Sequence, residues 1–489
     1  MYADIVIIGA GVVGCGVARE LSRYNTSIRV LEARFDVGEG ASKANSGIVH
    51  AGYDCVPGTN KAKFNVEGAK LYPSWADELC VPFRNNGAFV IGYNDEDKKT
   101  LENLLAQGKQ NGVEQLEIID GKKALELEPH LNPAVSCALH IPTSSIVSPF
   151  EMTYALAEHA AINGVDFRLE TKVHSLEKQE DGLWHIGTDK GYFTAKVVVN
   201  CAGVFSAGIH TMMSHRRDFE IHPRKGEYFL LDREEPVLFN HTIFQTPGKM
   251  GKGVLVAPTV HGNTLLGPSS TDVDDPLDVS TSSTMLDFVF DKSMLTWSEV
   301  SKRTVITTFA GMRAHEDHAD FVIGAVEDAE NAYETVGIES PGLSAMPAIA
   351  CYLSKMIAGD MKLTENTNFK AFPKRRPYFI NMSKEERLEA IAEDPNYGNM
   401  VCRCEQVTEA EIRECIRRPM GARSVDAVKR RCRAGSGRCQ GGFCSPRVVE
   451  ILAEELGVSM MDITKFGNNS TYFVGTLEDF AIKEAPTCK

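Results

Sequence analysis

The first 32 residues most tightly limit the fold. Residues Asp4 to Ile8 form a short apolar strand that runs straight into Gly9-Ala10-Gly11-Val12-Val13-Gly14. Val13, Val17, Ala18 and Leu21 then recur at helical spacing, as on the buried face of a helix. A second strand, Ile28-Arg29-Val30-Leu31, ends at Glu32, 23 residues after Gly9. Strand, glycine turn, helix, strand and acid together make the pattern of a dinucleotide-binding α/β unit. Gly9 permits the tight turn, Gly11 lets the backbone approach a pyrophosphate, and Gly14 lets the helix pack against the strand. The unpaired N–H groups at the helix start suit phosphate, and Glu32 suits a ribose hydroxyl.

A chain of 489 residues has room for about three domains. Its net charge of −14 argues against nucleic acid as a partner, since binding phosphates needs a cationic surface. No run approaches the roughly 18 apolar residues that span a bilayer, so no transmembrane segment is expected. The opening lacks the basic start and apolar run of a signal peptide, so the expected location is the cytoplasm. Any membrane association would be peripheral and made through a partner.

Three further stretches carry a resemblance: Asn45-Ser46-Gly47-Ile48-Val49-His50-Ala51-Gly52, Val198-Val199-Asn200-Cys201-Ala202-Gly203, and Gly337-Ile338-Glu339-Ser340-Pro341-Gly342-Leu343-Ser344. With the opening motif they resemble flavoproteins of the D-amino-acid-oxidase type, in the branch that holds L-2-hydroxyglutarate and FAD-dependent glycerol-3-phosphate dehydrogenases. The resemblance implies FAD and an α/β Rossmann-like domain to which the chain returns repeatedly, over 1–80, 146–215 and 306–370. It implies cofactor contacts at Asn45, Ser46, Gly47, Val173, Gly203, Gly311, Gly342, Leu343 and Ser344. A helix from about Ser344 would point its positive end at the flavin.

Between these returns lie short strand candidates, Phe89–Tyr93, Glu227–Leu231, Gly253–Pro258 and Thr264–Gly267. They predict an inserted, mainly antiparallel substrate sheet over 81–145 and 216–305. In Ala310-Gly311-Met312-Arg313-Ala314-His315, Arg313 offers a planar fork for a carboxylate or phosphate. A surface arginine is the plainer alternative. Arg224 to Tyr228 reads as a cationic turn leading into the Glu227–Leu231 strand, and Lys225 and Tyr228 are candidates for binding the anion. His261 is a candidate for either the site or a turn. Imidazole titrates near neutral pH, so His50, with His315 as its rival, is the candidate base for a substrate hydroxyl.

After a connector over 371–398 the cysteines crowd. Cys402 and Cys404 flank one residue, and Cys439 and Cys444 flank four; Cys415 and Cys432 lie between the pairs. Four thiolates suit zinc or an iron–sulfur cluster. Segment 399–460 resembles the bacterioferritin-associated-ferredoxin type of small, mainly helical domain, which implies a [2Fe-2S] cluster on Cys402, Cys404, Cys439 and Cys444. Helix candidates are Glu409–Arg417, Ser424–Arg431 and Pro446–Leu456, and residues 461–489 read as a C-terminal extension. From Cys402 to Arg447 there are eleven Lys or Arg against five Asp or Glu, the sign that suits an anionic cluster.

Together these features predict a dehydrogenase that oxidises a small anionic hydroxylated substrate on FAD and exports electrons through its cluster to an external redox acceptor. Glycerol 3-phosphate is the first candidate donor. A 2-hydroxy acid such as L-2-hydroxyglutarate is the second, and a non-catalytic electron-transfer subunit is a third reading.

Overall fold

The computed structural model describes residues 1–233, 238–247 and 253–475. The chain divides into two compact units, Met1–Lys374 and Arg375–Lys489.

The first unit is built on two large sheets. In the nucleotide sheet, strands Asp166–Arg168, Ile28–Leu31, Tyr2–Ile8, Gly191–Asn200 and Ala332–Val336 lie side by side and parallel. Helix Val12–Leu21 connects the first two strands in sequence, as the glycine motif predicts. Ile5, Val6, Ile7 and Val197 to Val199 are buried, so the central strands read as continuous apolar runs. An antiparallel hairpin, Val173–Lys178 with Trp184–Thr188, extends the sheet at one side.

Among the described residues the second sheet has nine strands, and only the pairing of Thr242–Gln245 with Ala88–Gly92 is parallel. Its longest partners are Ile221–Leu231 and Val305–Glu316, in antiparallel register with Arg224 opposite Arg313, Gly226 opposite Gly311 and Tyr228 opposite Phe309. This corrects two expectations. Residues 306–316, expected in the nucleotide domain, pair within the substrate sheet as part of strand Val305–Glu316. Arg224 to Gly226 lie within strand Ile221–Leu231 and not in a turn before it, because alternate side chains there have opposite faces to fill. One face of this sheet packs with helix Ser283–Thr296 through Val289, Phe239 and Trp297. The other packs with Ile48, Tyr53, Leu101 and Ile146.

In the second unit three helices, Glu409–Arg417, Val425–Cys432 and Ser445–Leu456, enclose a core of Ile412, Ile416, Val428, Val448, Ile451 and Leu452. The first of these starts at a capping box in which Thr408 and Glu411 satisfy each other's backbone N–H groups. The expected connector over 371–398 is largely folded. Helix Lys384–Glu393 has its own capping box, Ser383 with Glu386, and Phe379, Met382, Ala390 and Tyr397 pack on Ala410. The expected extension begins inside this core, since Ile463 is buried in it; residues 476–489 lie outside the described residues. Among the described residues no helix is long and apolar enough to cross a membrane.

Candidate functional site: a nucleotide cradle, an anion clamp and a four-thiolate turn

At the end of strand Tyr2–Ile8, Gly9 takes a φ of +102°, and a Cβ there would stand 2.5 Å from the Cys201 carbonyl oxygen. A Cβ on Gly14 would stand 2.1 Å from the Gly9 carbonyl. Neither contact can relax without moving backbone, so both glycines are required by the cradle itself. Glu32 accepts hydrogen bonds from the N–H of Ala10 at 2.7 Å and of Arg34 at 2.8 Å. Burial pushes its carboxyl pKa up while these donors pull against it. The Val12 N–H at the helix start donates to Ser42 Oγ at 2.9 Å, so residues 41–45 fold against the phosphate-binding end. Cys201 to Gly203 adjoin Gly9, which brings the second glycine motif to the same edge. Gly203 is in left-handed backbone with open space around it, and Val173 is buried in the core under the sheet.

Asn45 holds its own turn by donating to the carbonyls of Ala41 and Ser42 and accepting from the N–H of Gly47. Ser46 is half-buried beside it. Gly47, at φ +67°, would carry a Cβ 2.6 Å from the Val147 carbonyl. The turn delivers strand Ile48–Val49 and then His50, which is buried. The His50 N–H donates to Ser344 Oγ at 2.7 Å, and the imidazole lies 5.6 Å from the Phe244 ring. Ser344 stands in the first turn of helix Gly342–Asp360, and the neighbouring Leu343 carbonyl accepts from Tyr72 at 2.8 Å. His50 and the helix start are therefore held together. Helix Asn60–Glu78 backs them at close range, for a Cβ on Gly68 would meet the Ser344 carbonyl at 2.1 Å.

The strand Val305–Glu316 carries the rest. A Cβ at Gly311 would stand 1.9 Å from the Ala44 carbonyl, so the glycine admits the nucleotide-side turn against the substrate sheet. Arg313, two residues on and so on the same face, donates to the Ser269 carbonyl at 2.6 Å and is half-buried. His315 follows on that face, with Nδ1 3.0 Å from Glu339, whose carboxylate also takes Lys61 at 2.9 Å. Tyr228 shares the face through its register with Phe309, on which it stacks at 4.7 Å. Burial pushes its phenol pKa up, and Arg313 pulls it back.

Two candidates are placed elsewhere. Lys225 alternates to the opposite face of the sheet and donates to Asp278 at 2.7 Å. His261, in the turn after strand Leu255–Pro258, engages Glu151 at 2.7 Å. The partners Ser42, Ser269, Asp278, Glu339 and Glu151 escape sequence reading because they lie 24 to 110 residues from the groups they hold.

In the second unit the Cys404 sulfur lies 3.8 Å from Cys402 and 3.8 Å from Cys439. That is the spacing of thiolates sharing a tetrahedral metal about 2.3 Å away. The hydrogen bond from Cys444, with backbone donors at Gly435 and Glu405, draws the Cys402 thiol pKa down to about 6. Burial pushes Cys439 up, but the N–H groups of Phe443 and Gly441 bring it below its ordinary value. A Cβ on Gly437 would stand 2.7 Å from the Cys404 sulfur, so the glycines of this turn make room for sulfur and aim N–H groups at it. Such a set fits a negatively charged thiolate-bound cluster. Cys415 and Cys432 are buried in the helical core, bonded to the carbonyls of Ile412 and Val428.

A parallel nucleotide sheet joined to an antiparallel substrate sheet, on a chain that continues into a four-thiolate domain, defines a flavin-dependent oxidoreductase with its own electron-transfer centre. The chain belongs to the FAD dependent oxidoreductase family, whose model matches residues 4–356, and residues 400–454 match the BFD-like [2Fe-2S] binding domain. It is 45% identical over 473 residues to a glycerol 3-phosphate dehydrogenase of Caloramator mitchellensis, covering 96% of this chain and 98% of that one. An L-2-hydroxyglutarate dehydrogenase of Caenorhabditis briggsae is 32% identical over 55% of this chain and 63% of its own. Among solved structures, the dithionite-reduced L-alpha-glycerophosphate oxidase of Mycoplasma pneumoniae with FAD bound aligns at TM-score 0.73 and 27% identity, covering 78% of this chain and all of that one.

Proposed function

We propose that the protein oxidises sn-glycerol 3-phosphate to dihydroxyacetone phosphate and passes the electrons through its cluster to a separate acceptor. The observation that carries this reading is the end-to-end likeness to the Caloramator dehydrogenase, which includes the cluster domain. The likeness to a glycerol 3-phosphate oxidase of Mycoplasma pneumoniae covers only 75% of this chain. A family member that keeps the cluster domain has a route for electrons other than direct delivery to oxygen.

Bound FAD supplies the two-electron acceptor and the [2Fe-2S] cluster the one-electron outlet. The chain's own residues do the rest. Arg313, fixed by Ser269, binds the anionic end of the donor; a guanidinium fork matches phosphate or carboxylate. His50 takes the hydroxyl proton at its imidazole, oriented by the Ser344 bond to its backbone and screened from water by Phe244. The first-turn N–H groups at Leu343 and Ser344 would favour negative charge on a flavin bound at this helix start. Tyr228 shapes the floor beside Arg313. Gly9, Gly11, Gly14 and Glu32 hold the adenosine and pyrophosphate end.

The test is anaerobic stopped-flow mixing of the holoenzyme with sn-glycerol 3-phosphate and, separately, with L-2-hydroxyglutarate. Fast flavin bleaching by the phosphate alone is expected; bleaching by the hydroxy acid alone assigns the site to the other branch. Cys439→Ser should keep the bleaching and lose transfer to a protein acceptor.

A further inference from the structure

The four proposed ligands are unequally covered. Cys402 and Cys444 are buried, whereas Cys404 and Cys439 are half-exposed and lie together at 3.8 Å. Electron transfer falls steeply with distance, so the less covered Cys404 and Cys439 edge is where a bound cluster would have its outlet. The residues bordering that edge are Arg403, next to Cys404, and Arg438, next to Cys439, both exposed. Phe443, directly before Cys444, is 90% exposed, the most exposed large apolar side chain among the described residues. Within 402–406 and 435–446 the only acid is Glu405, which is buried and bonded to Arg433 at 2.8 Å. Among the described residues of these two segments, exposed charge is therefore all positive, on a chain whose net charge is −14.

An aromatic side chain standing in water beside arginines has the composition of an interface anchor. At 90% exposure Phe443 lies outside the core of its domain. We propose that Phe443, Arg403 and Arg438 form the docking surface for a separate electron-carrier protein with an acidic face around its redox centre. The proposal rests on the electron-exporting reading above and adds the kind of partner. Each docking event moves one electron, oxidising the cluster by one and reducing the carrier by one, with no bond or proton changing hands. Two events complete one substrate oxidation.

The probe is cytochrome c in two forms that share one haem, native and lysine-rich or succinylated and acidic. Calorimetric titration of fully oxidised holoenzyme at low ionic strength should show the acidic form binding at least about tenfold more tightly, a gap that closes with salt. Phe443→Ala should weaken that binding about tenfold, and the double variant Arg403→Glu with Arg438→Glu should reverse the preference. The cluster's electron paramagnetic resonance signal, kept in each variant, confirms the fold.

Holoenzyme reduced beforehand with stoichiometric dithionite should transfer electrons in the same order. This arm needs no donor substrate, so a flavin that glycerol 3-phosphate fails to bleach would end the proposed function and leave this inference standing. Equal binding of the two forms, or variants that alter neither, overturns it. So does a Phe443→Ala protein whose flavin-to-cluster step slows while carrier binding holds, which would give the face to the chain's own flavin unit. A shifted cluster potential with binding unchanged in the arginine variant would assign the two charges to the cluster alone, and overturns it as well.

Discussion

The backbone N–H of His50 and the hydroxyl of Ser344 are 294 residues apart in sequence and 2.7 Å apart in space. Ser344 Oγ also donates to the Ile48 carbonyl at 3.3 Å, so one hydroxyl clasps the strand that presents His50 to the start of the helix. Removing it leaves a buried N–H unsatisfied, at a cost of about 1–3 kcal/mol. Ser344→Ala should keep its FAD and slow flavin reduction roughly tenfold, while His50→Gln slows it by about 10²–10⁴ if the imidazole moves the proton. Single-turnover bleaching measures both. A His50→Gln rate within a few-fold of wild type would pass the role to His315.

Arg313 and Lys225 make a matched pair of cations on opposite faces of one sheet. Arg313→Ala should cost about 2–5 kcal/mol in kcat/KM, most of it in KM, with Arg313→Lys recovering part. Lys225→Met should lower the melting temperature by loss of the Asp278 bond, yet leave KM within about twofold, as expected of a change remote from the site. Steady-state kinetics with a dye acceptor separates them.

Gly311→Ala presses a methyl onto the Ala44 carbonyl at 1.9 Å, backbone against backbone. Overpacking of this sort costs about 1–3 kcal/mol or more, and here it would push the 41–45 turn away from the cradle. The variant should purify with a flavin-to-protein absorbance ratio well below that of wild type, and added FAD should restore it only in part.

A pH effect follows from His159. Its ring accepts from Arg19 at 3.3 Å through Nδ1 and donates to the Lys370 carbonyl at 2.9 Å through Nε2, the pattern of a neutral imidazole. Burial pushes its pKa below the ordinary 6.5, against the pull of the Lys370 carbonyl. Above 6.5 neither the folded nor the unfolded ring holds the extra proton, and the contribution is whole. Below that, the unfolded chain gains protons that the folded one refuses, so stability falls as the pH drops below 6.5. Urea denaturation across that range should show a steeper decline in wild type than in His159→Gln.

The parts of this molecule that local sequence dictates were readable from it. The opening nucleotide unit spans 32 contiguous residues, and the three helices of the cluster domain have caps and apolar spacing written within their own length. Helix Lys384–Glu393 had a cap too, Ser383 with Glu386, hidden in a segment whose Pro, Lys and Arg content suggested a connector. Strand pairing was harder. Nothing near residues 305–316 says that they lie along 221–231 and not against the nucleotide sheet, because that pairing is a register between distant segments. The same holds for the faces: Arg-Lys-Gly at 224–226 has a turn's composition, and only the pairing with Arg313 and Gly311 shows that Lys225 looks away. Acids that engage side chains 53 and 110 residues off, Asp278 and Glu151, leave no local trace.

The strand that holds Gly311 and Arg313 works as a ruler. One end of the interval is set by the Ala44 carbonyl seated on Gly311, the other by the backbone of Arg313, and between the two Cα atoms lie two residues of extended chain, about 6.6 Å. A loop could fold that interval shorter; a strand hydrogen-bonded along its length holds it near full extension. Selection among hydroxylated anions would then be made by reach, the number of atoms between charge and carbinol, before any side chain tells phosphate from carboxylate.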